Sequence, residues 1–156
     1  MGTESKVVST SSDVGIAVFR NVVIVHFRRK TPAASGDALE SAVRSIPRTE
    51  KIVFFAVIEI ESEPPDTETR KRFTKFFEDH AARLACAVVA YRGEGFRGAT
   101  VRTIVSAIFL LLPKFRFAFP REVVGSVEDA ATLALKYSPG LDTAALLAAF
   151  RALSAQ

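Results

Sequence analysis

The chain has 156 residues, a formal net charge of +4 and 49% hydrophobic residues. That length suits one domain with its own core, and that hydrophobic content excludes a wholly disordered chain. Acidic and basic residues are interleaved along the sequence, which argues against a nucleic-acid-binding protein. The single cysteine, Cys86, excludes an intrachain disulfide and a cysteine-based metal site, and it fits a reducing cytoplasm. No apolar run reaches the roughly 20 residues of a membrane-spanning helix.

The N-terminal third predicts a flexible lead, a β-hairpin and a helix. Residues 1–12 are polar and lack the hydrophobic core of a signal peptide, so we expect a flexible lead there. Residues 13–21 and 22–29 have the apolar pattern of two strands, and Asn21 suits the turn of an antiparallel hairpin. Residues 35–46 place apolar side chains at helical spacing and predict a first amphipathic helix.

The middle of the chain predicts alternating strands and helices. Residues 52–60 are apolar at almost every position, as in a strand that helices cover on both faces. Asp66 is suited to cap a second helix over residues 67–84. Residues 84–91 predict another buried strand, which a glycine-rich turn and an apolar helix connect to a strand over residues 113–119. Because strands joined through a helix lie parallel in one sheet, this unit indicates an α/β protein with a right-handed crossover.

The C-terminal part predicts two more helices. One covers residues 126–137, and Asp142 caps the other over residues 143–153. We therefore expect an α/β domain over residues 13–137 and a C-terminal helical extension over residues 138–156. The last helix carries an apolar stripe of Leu146, Leu147, Phe150 and Leu153.

The whole order predicts a mostly parallel five-stranded sheet with an N-terminal hairpin and helices on both faces. This order resembles the STAS domain, the anti-sigma-factor-antagonist family. In that family an Asp-Ser-Ser-Gly-like turn follows the third strand and carries a phosphorylated serine at a helix start. Here residues 61–69, ESEPPDTET, occupy that place, with Thr67 and Ser62 as candidate phosphosites and without the glycine. The resemblance implies a small non-enzymatic, regulatory module that binds other proteins.

A literal G-x-G-x-x-G follows the strand over residues 84–91. Its glycines are Gly93, Gly95 and Gly98. Arg92 comes directly before the motif, and Arg97 lies within it. One interpretation is an ordinary strand-to-helix turn, in which glycine is common. The other is a phosphate or nucleotide site, in which backbone N–H groups at a helix N-terminus hold the anion. This alternative function, a small ligand-binding protein, stays open beside the interaction module.

The predicted helix after that turn has more apolar residues than one buried face needs. Phe109 and Leu110 are expected to point away from the sheet, alongside Arg102. An exposed apolar patch of this kind marks an interaction surface unless the last helix covers it. We therefore expect Arg97, Arg102, Phe109 and Leu110 to form the surface for another protein or for a second copy of the chain.

Charged residues also cluster where the predicted strands end. Glu59, Glu61, Glu63 and Asp66 could face Arg92, Arg97 and Arg121, because parallel strands bring their carboxyl ends to one edge. Acid–base chemistry or surface ion pairs would both suit such a cluster. The histidines, His26 and His80, are expected to be packed core residues rather than a base or a metal ligand. We expect no cofactor, no catalytic residue and a cytoplasmic location.

Overall fold

The computed structural model describes residues 5–93 and 119–156, which form an α/β fold built on one six-stranded sheet. The strands are β1 (Lys6–Thr10), β2 (Val14–Phe19), β3 (Val22–Phe27), β4 (Ile52–Ile58), β5 (Leu84–Tyr91) and β6 (Arg121–Val124). The helices are α1 (Ser35–Arg44), α2 (Thr67–His80), α3 (Val127–Tyr137) and α4 (Thr143–Ser154), with a 3₁₀ turn at Ala81–Arg83.

The strands lie in sequence order across the sheet, which is mostly parallel. β1 and β2, and then β2 and β3, pair antiparallel, whereas β3 to β6 pair parallel to one another. The predicted hairpin is confirmed, with Arg20 in the left-handed region at φ 52° next to Asn21. β5 also pairs parallel with the next described strand, β6, and residues 94–118 of the predicted crossover lie outside the described residues.

Two details of the predicted sheet are wrong. The sheet has six strands rather than five, because Lys6–Thr10 lies within the expected flexible lead and pairs with β2 as an edge strand. Its backbone satisfies the outer hydrogen-bonding groups of β2, a role that needs few apolar side chains. The strand parallel to β5 is Arg121–Val124, and Phe119, the described end of the predicted strand, lies outside it. Residues 113–118 of that predicted strand lie outside the described residues.

The sheet is covered on both faces, as the doubly apolar strands predicted. α1 and α2 cover one face with a phenylalanine-rich core; we call this the α1/α2 face. α3 and α4 cover the opposite, α3/α4 face, where small residues let the helices approach closely. The first core includes Phe27, Phe54, Phe76, Phe77 and Phe119, and the second includes Ala17, Ala90, Ala130, Ala134 and Ala149.

The last helix is part of this core. Leu146, Phe150 and Leu153 of its apolar stripe are buried against the α3/α4 face, and Leu147 is half-buried beside them. Three of the four stripe residues thus pack against the sheet of the same chain and are not exposed to a partner. Among the described helices, none is long and apolar enough to cross a membrane.

Candidate functional site

Four charged or titratable side chains converge at the carboxyl ends of three parallel strands. His26 and Arg28 are two residues apart at the end of β3, so strand alternation places both on the α3/α4 face. Glu59 follows β4, and Arg92 follows β5. Parallel pairing brings all four to one edge, and the expected meeting of Glu59 with Arg92 is confirmed.

These four side chains form one hydrogen-bonded chain. Glu59 Oε1 lies 2.8 Å from His26 Nε2 and 3.2 Å from Arg92 Nη1. Arg28 Nε donates to His26 Nδ1 at 3.2 Å. Because an arginine only donates, Nδ1 accepts, and the proton of the neutral imidazole sits on Nε2 and is donated to Glu59.

His26 is held in this neutral form. Burial lowers the pKa of His26 below 6.5, and this effect outweighs the hydrogen bond and charge of Glu59, which raise it. The charges of Arg28 and Arg92 lower it further. The ring packs edge-on against Phe150, with centroids 5.1 Å apart. The expectation that His26 is a packed residue is therefore met, with both ring nitrogens hydrogen-bonded.

Arg28 ties this network to the end of the last helix. Its Nη2 donates to the carbonyl of Leu153 at 2.7 Å, and its Nη1 donates to the carbonyl of Gln156 at 3.2 Å. Nη1 also donates to the carbonyl of Ser11, in the turn between β1 and β2. The last carbonyls of a helix lack an intrahelical donor, and here the guanidinium donates to that of Leu153, which also accepts from the Gln156 N–H at 3.3 Å. Sequence analysis did not single out Arg28, although strand alternation from His26 is a signal that could have indicated its face.

A cleft of about 460 Å³ opens beside the network. We call it the carboxyl-end cleft. Its walls come from the residues after β5 and β6, from the start of α3 and from α4. They are Arg92, Gly93, Gly125, Ser126, Val127, Glu128, Leu147, Phe150, Arg151 and Ser154. Two guanidinium groups and an apolar wall give this space the chemistry of a site for a small anion with an apolar body.

A second cleft, of about 490 Å³, lies at the opposite end of the sheet. This amino-end cleft is lined by Arg20, Asn21, Pro47, Glu50, Lys51, Ser138, Gly140 and Leu141. Lys51 Nζ donates to the carbonyl of Ala82 at 2.6 Å, and Asn21 Nδ2 donates to the carbonyl of Lys51 at 2.8 Å. Its ammonium and amide groups therefore serve to hold the loops together.

The two candidate phosphosites have different environments. Ser62 is buried, with 3% of its surface exposed, so a kinase could not reach its hydroxyl in this fold. Thr67 is exposed at the first position of α2, where its hydroxyl accepts a hydrogen bond from Arg70 Nη2 at 3.1 Å. Asp66 caps the helix by accepting from the Thr69 N–H at 2.8 Å, which lowers the pKa of Asp66.

The remaining predicted residues separate into two groups. Gly95, Gly98, Arg97, Arg102, Phe109 and Leu110 lie outside the described residues. Gly93 is described, and a Cβ there would collide with the buried ring of Tyr91, which gives this glycine a steric reason. Glu61 and Glu63 are exposed, and among the described residues no ion pair joins either of them to Arg92.

The other histidine has a similar structural role. His80 Nε2 lies 3.0 Å from a carboxylate oxygen of Glu40, and its ring centroid lies 4.9 Å from that of Phe76. Within residues 5–93 and 119–156, no group of three His, Cys, Asp or Glu side chains could hold a metal ion. Comparison with known proteins found no family model, no curated protein and no solved structure that matches the chain.

Proposed function

We propose that this protein is a non-catalytic regulatory module that binds another protein, as its resemblance to STAS domains implies. We assign part of its contact surface to the acidic turn, residues 60–68, which comprises the loop after β4 and the first two residues of α2. The observation that carries this assignment is the exposure of Ile60, whose surface is 37% accessible. Carboxylates surround it in the sequence: Glu61, Glu63, Asp66 and Glu68. An apolar side chain held among charges at a surface suits a contact point for a partner.

The acidic turn is held in place before any partner arrives. The Ser62 N–H donates to the carbonyl of Glu59 at 3.0 Å, and the Glu63 N–H donates to the carbonyl of Arg29 at 2.7 Å. The Asp66 cap fixes the start of α2 on the other side. A segment that is already ordered loses little conformational entropy on binding, so its contacts contribute more fully to affinity.

Charge indicates the kind of partner. Four carboxylates lie on the acidic turn, although the whole chain has a net charge of +4. Complementary charge accelerates association and selects among partners. We therefore propose a partner with a basic contact surface that includes an apolar pocket for Ile60.

Thr67 supplies a means of regulation at the same surface. Its hydroxyl is exposed at the N-terminus of α2, and Arg70 already donates to it. A phosphate there would meet the positive end of the helix dipole and the guanidinium of Arg70. It would also add negative charge to the acidic turn. We propose Thr67 rather than the buried Ser62 as the regulatory phosphosite.

The bonding at the carboxyl end of the sheet supports a non-catalytic role. Oε1 of Glu59 bonds both His26 and Arg92, so this oxygen is engaged within the fold. Burial raises the pKa of the Cys86 thiol to about 12, which removes it as a nucleophile at neutral pH. Glu59 and Cys86 therefore have structural explanations within the fold.

The test compares two substitutions of equally exposed residues. Ile60→Ser changes the acidic turn, whereas Leu135→Ser changes α3 at a side chain that is also 37% exposed. In affinity capture from an extract of the source cells, we expect a partner retained by the wild type and Leu135→Ser to be lost by Ile60→Ser. Equal retention by all three proteins would refute the assignment to the acidic turn.

A further substitution tests the surface predicted from the sequence. We expect Phe109→Glu to stay folded and soluble while it loses partner capture or self-association, measured by circular dichroism and sedimentation velocity. Unfolding would show that Phe109 belongs to the core. Unchanged capture by a folded Phe109→Glu variant would remove Phe109 from the interaction surface.

A further inference from the structure

We infer that the carboxyl-end cleft is a binding site for a small aromatic phosphate monoester. This site is separate from the acidic turn and does not depend on the proposed protein partner. Its volume of about 460 Å³ falls within the range of small-molecule sites, roughly 300–1,000 Å³. Clefts outside the carboxyl ends of parallel strands are where open α/β sheets most often hold ligands.

Two arginines from different elements line this cleft. Arg151 is exposed on α4, and none of the described residues accepts a hydrogen bond from its guanidinium or pairs with it. Arg92 comes from the end of β5, and 47% of its side chain is exposed although Nη1 bonds Glu59. Guanidinium groups bind phosphate through two parallel hydrogen bonds, so a cleft lined by two arginines suits a phosphate group.

The start of α3 adds backbone donors to these side chains. Ser126 Oγ accepts from the Asp129 N–H at 3.1 Å, and the Ser126 carbonyl accepts from the Ala130 N–H at 3.1 Å. The N–H groups of the first two helical residues, Val127 and Glu128, have no intrahelical partner. Both residues line the cleft, so these donors supplement the two arginines.

The rest of the wall determines the body of the ligand. The apolar part of the cleft wall comes from three side chains: Val127, Leu147 and Phe150. Phe150 is held by its edge-on contact with His26 and has only 3% of its surface exposed, so the half-buried Leu147 supplies more of the accessible apolar surface. Glu128 also lines the cleft, and its negative charge would repel a ligand with several phosphates. A single phosphate on an aromatic body therefore suits this site.

The amino-end cleft provides an internal control. It has a similar volume, but Lys51 is already bonded to a carbonyl, the Arg20 guanidinium lies over the Phe19 ring, and the C-terminal end of α3 lies beside it. The negative end of a helix disfavours an anion. Each cleft is also lined by one glycine, Gly125 or Gly140, at which a Cβ would meet no heavy atom within 4 Å.

The experiment titrates the full chain with phenyl phosphate, inorganic phosphate and phenol, followed by calorimetry and by amide NMR shifts. We expect saturable binding of phenyl phosphate, with shifts at Val127 and Glu128, and weaker binding of the other two probes. Arg151→Gln should weaken binding about tenfold, which corresponds to about 1.4 kcal/mol. Glu128→Gln should strengthen binding, because it removes the opposing carboxylate.

Matched glycine substitutions locate the site. Gly125→Leu fills the carboxyl-end cleft and should abolish binding, whereas Gly140→Leu fills the amino-end cleft and should leave it unchanged. Circular dichroism confirms that each variant is folded. The inference is overturned if phenyl phosphate does not bind saturably or if Arg151→Gln binds it as tightly as the wild type. Equal loss in both glycine variants also overturns it, and inorganic phosphate binding as tightly as phenyl phosphate overturns the aromatic part.

Discussion

Polar side chains at the two ends of the parallel sheet have different hydrogen-bond partners. At the carboxyl end, Arg28, His26, Glu59 and Arg92 bond to one another through their side chains. At the amino end, Asn21 and Lys51 bond instead to backbone carbonyls of neighbouring loops. The adjoining clefts are almost equal in volume, about 460 and 490 Å³, so the arrangement of charge rather than size distinguishes them. Substitutions at matched positions can test this difference.

The largest expected effect is at Glu59. Glu59→Ala leaves the buried Nε2 of His26 and one donor of Arg92 without their acceptor, which should lower the free energy of unfolding by about 2 kcal/mol. For a domain of this size the melting temperature should fall by roughly 4–8 °C. Glu50→Ala, at the exposed amino end, should have almost no effect. Equal effects of the two substitutions in thermal unfolding would contradict a special role for the carboxyl end.

The next effect is expected at Arg28. Arg28→Ala removes the donors to the carbonyls of Leu153 and Gln156, and it should cost about 1.5 kcal/mol. The neighbouring Arg29 is exposed, and Arg29→Ala is the matched control. Hydrogen exchange should accelerate in the last turn of α4 for Arg28→Ala alone. Unchanged exchange there would show that Arg28 does not hold the helix end.

Helix caps should contribute equally at the two ends. Ser126 caps α3 beside the carboxyl-end cleft, and Asp142 caps α4 beside the amino end. Ser126→Ala and Asp142→Ala should each lower the free energy of unfolding by about 1 kcal/mol. Denaturant unfolding measures both. If the two losses of unfolding free energy differ, the helix caps as well as the side-chain network distinguish the two ends of the sheet.

The smallest effect is a pH dependence from His26. Its pKa in the folded protein is lowered by burial, so the unfolded chain takes up a proton at a higher pH than the folded chain does. Its contribution to stability is therefore complete above pH 6.5 and is lost as the pH falls towards the lower folded pKa. Between pH 6.5 and pH 6 one such histidine changes the free energy of unfolding by at most about 0.7 kcal/mol.

Denaturant unfolding of His26→Gln at both pH values checks this prediction. The substitution should remove the part of the pH dependence that His26 contributes. The charged groups facing His26 are Glu59, Arg28 and Arg92, and all three remain in the variant. Identical pH dependence in the wild type and the variant would contradict the assignment.

Local signals predicted most of the helices and strands. Asp66 and Asp142 cap α2 and α4, as the sequence indicated, and Ser126 caps α3 at the start of the helix predicted over residues 126–137. The doubly apolar run of β4 predicted helices on both faces, because each face of such a strand must be buried. β1 was not predicted as a strand, because it lies at the sheet edge, where polar residues are tolerated and the apolar signal is weak.

The sequence predicted fewer of the contacts in the candidate site. The pairing of Glu59 with Arg92 followed from the general rule that parallel strands end at one edge. The participation of His26 did not, because a histidine inside an apolar strand has no local sign of its partner. The sequence could not show that Ser62 is buried, because its burial depends on how the acidic turn folds back.

Short-range patterns in the sequence predicted the α/β class, the hairpin, most of the buried strands and the caps at Asp66 and Asp142. Each of these depends on residues a few positions apart, so their pattern is visible in the chain. Tertiary structure alone decided that Arg28 would meet Leu153, 125 residues away, and that Arg92 and Arg151 would line one cleft. Such contacts depend on how strands and helices pack, and no local spacing along the chain specifies them.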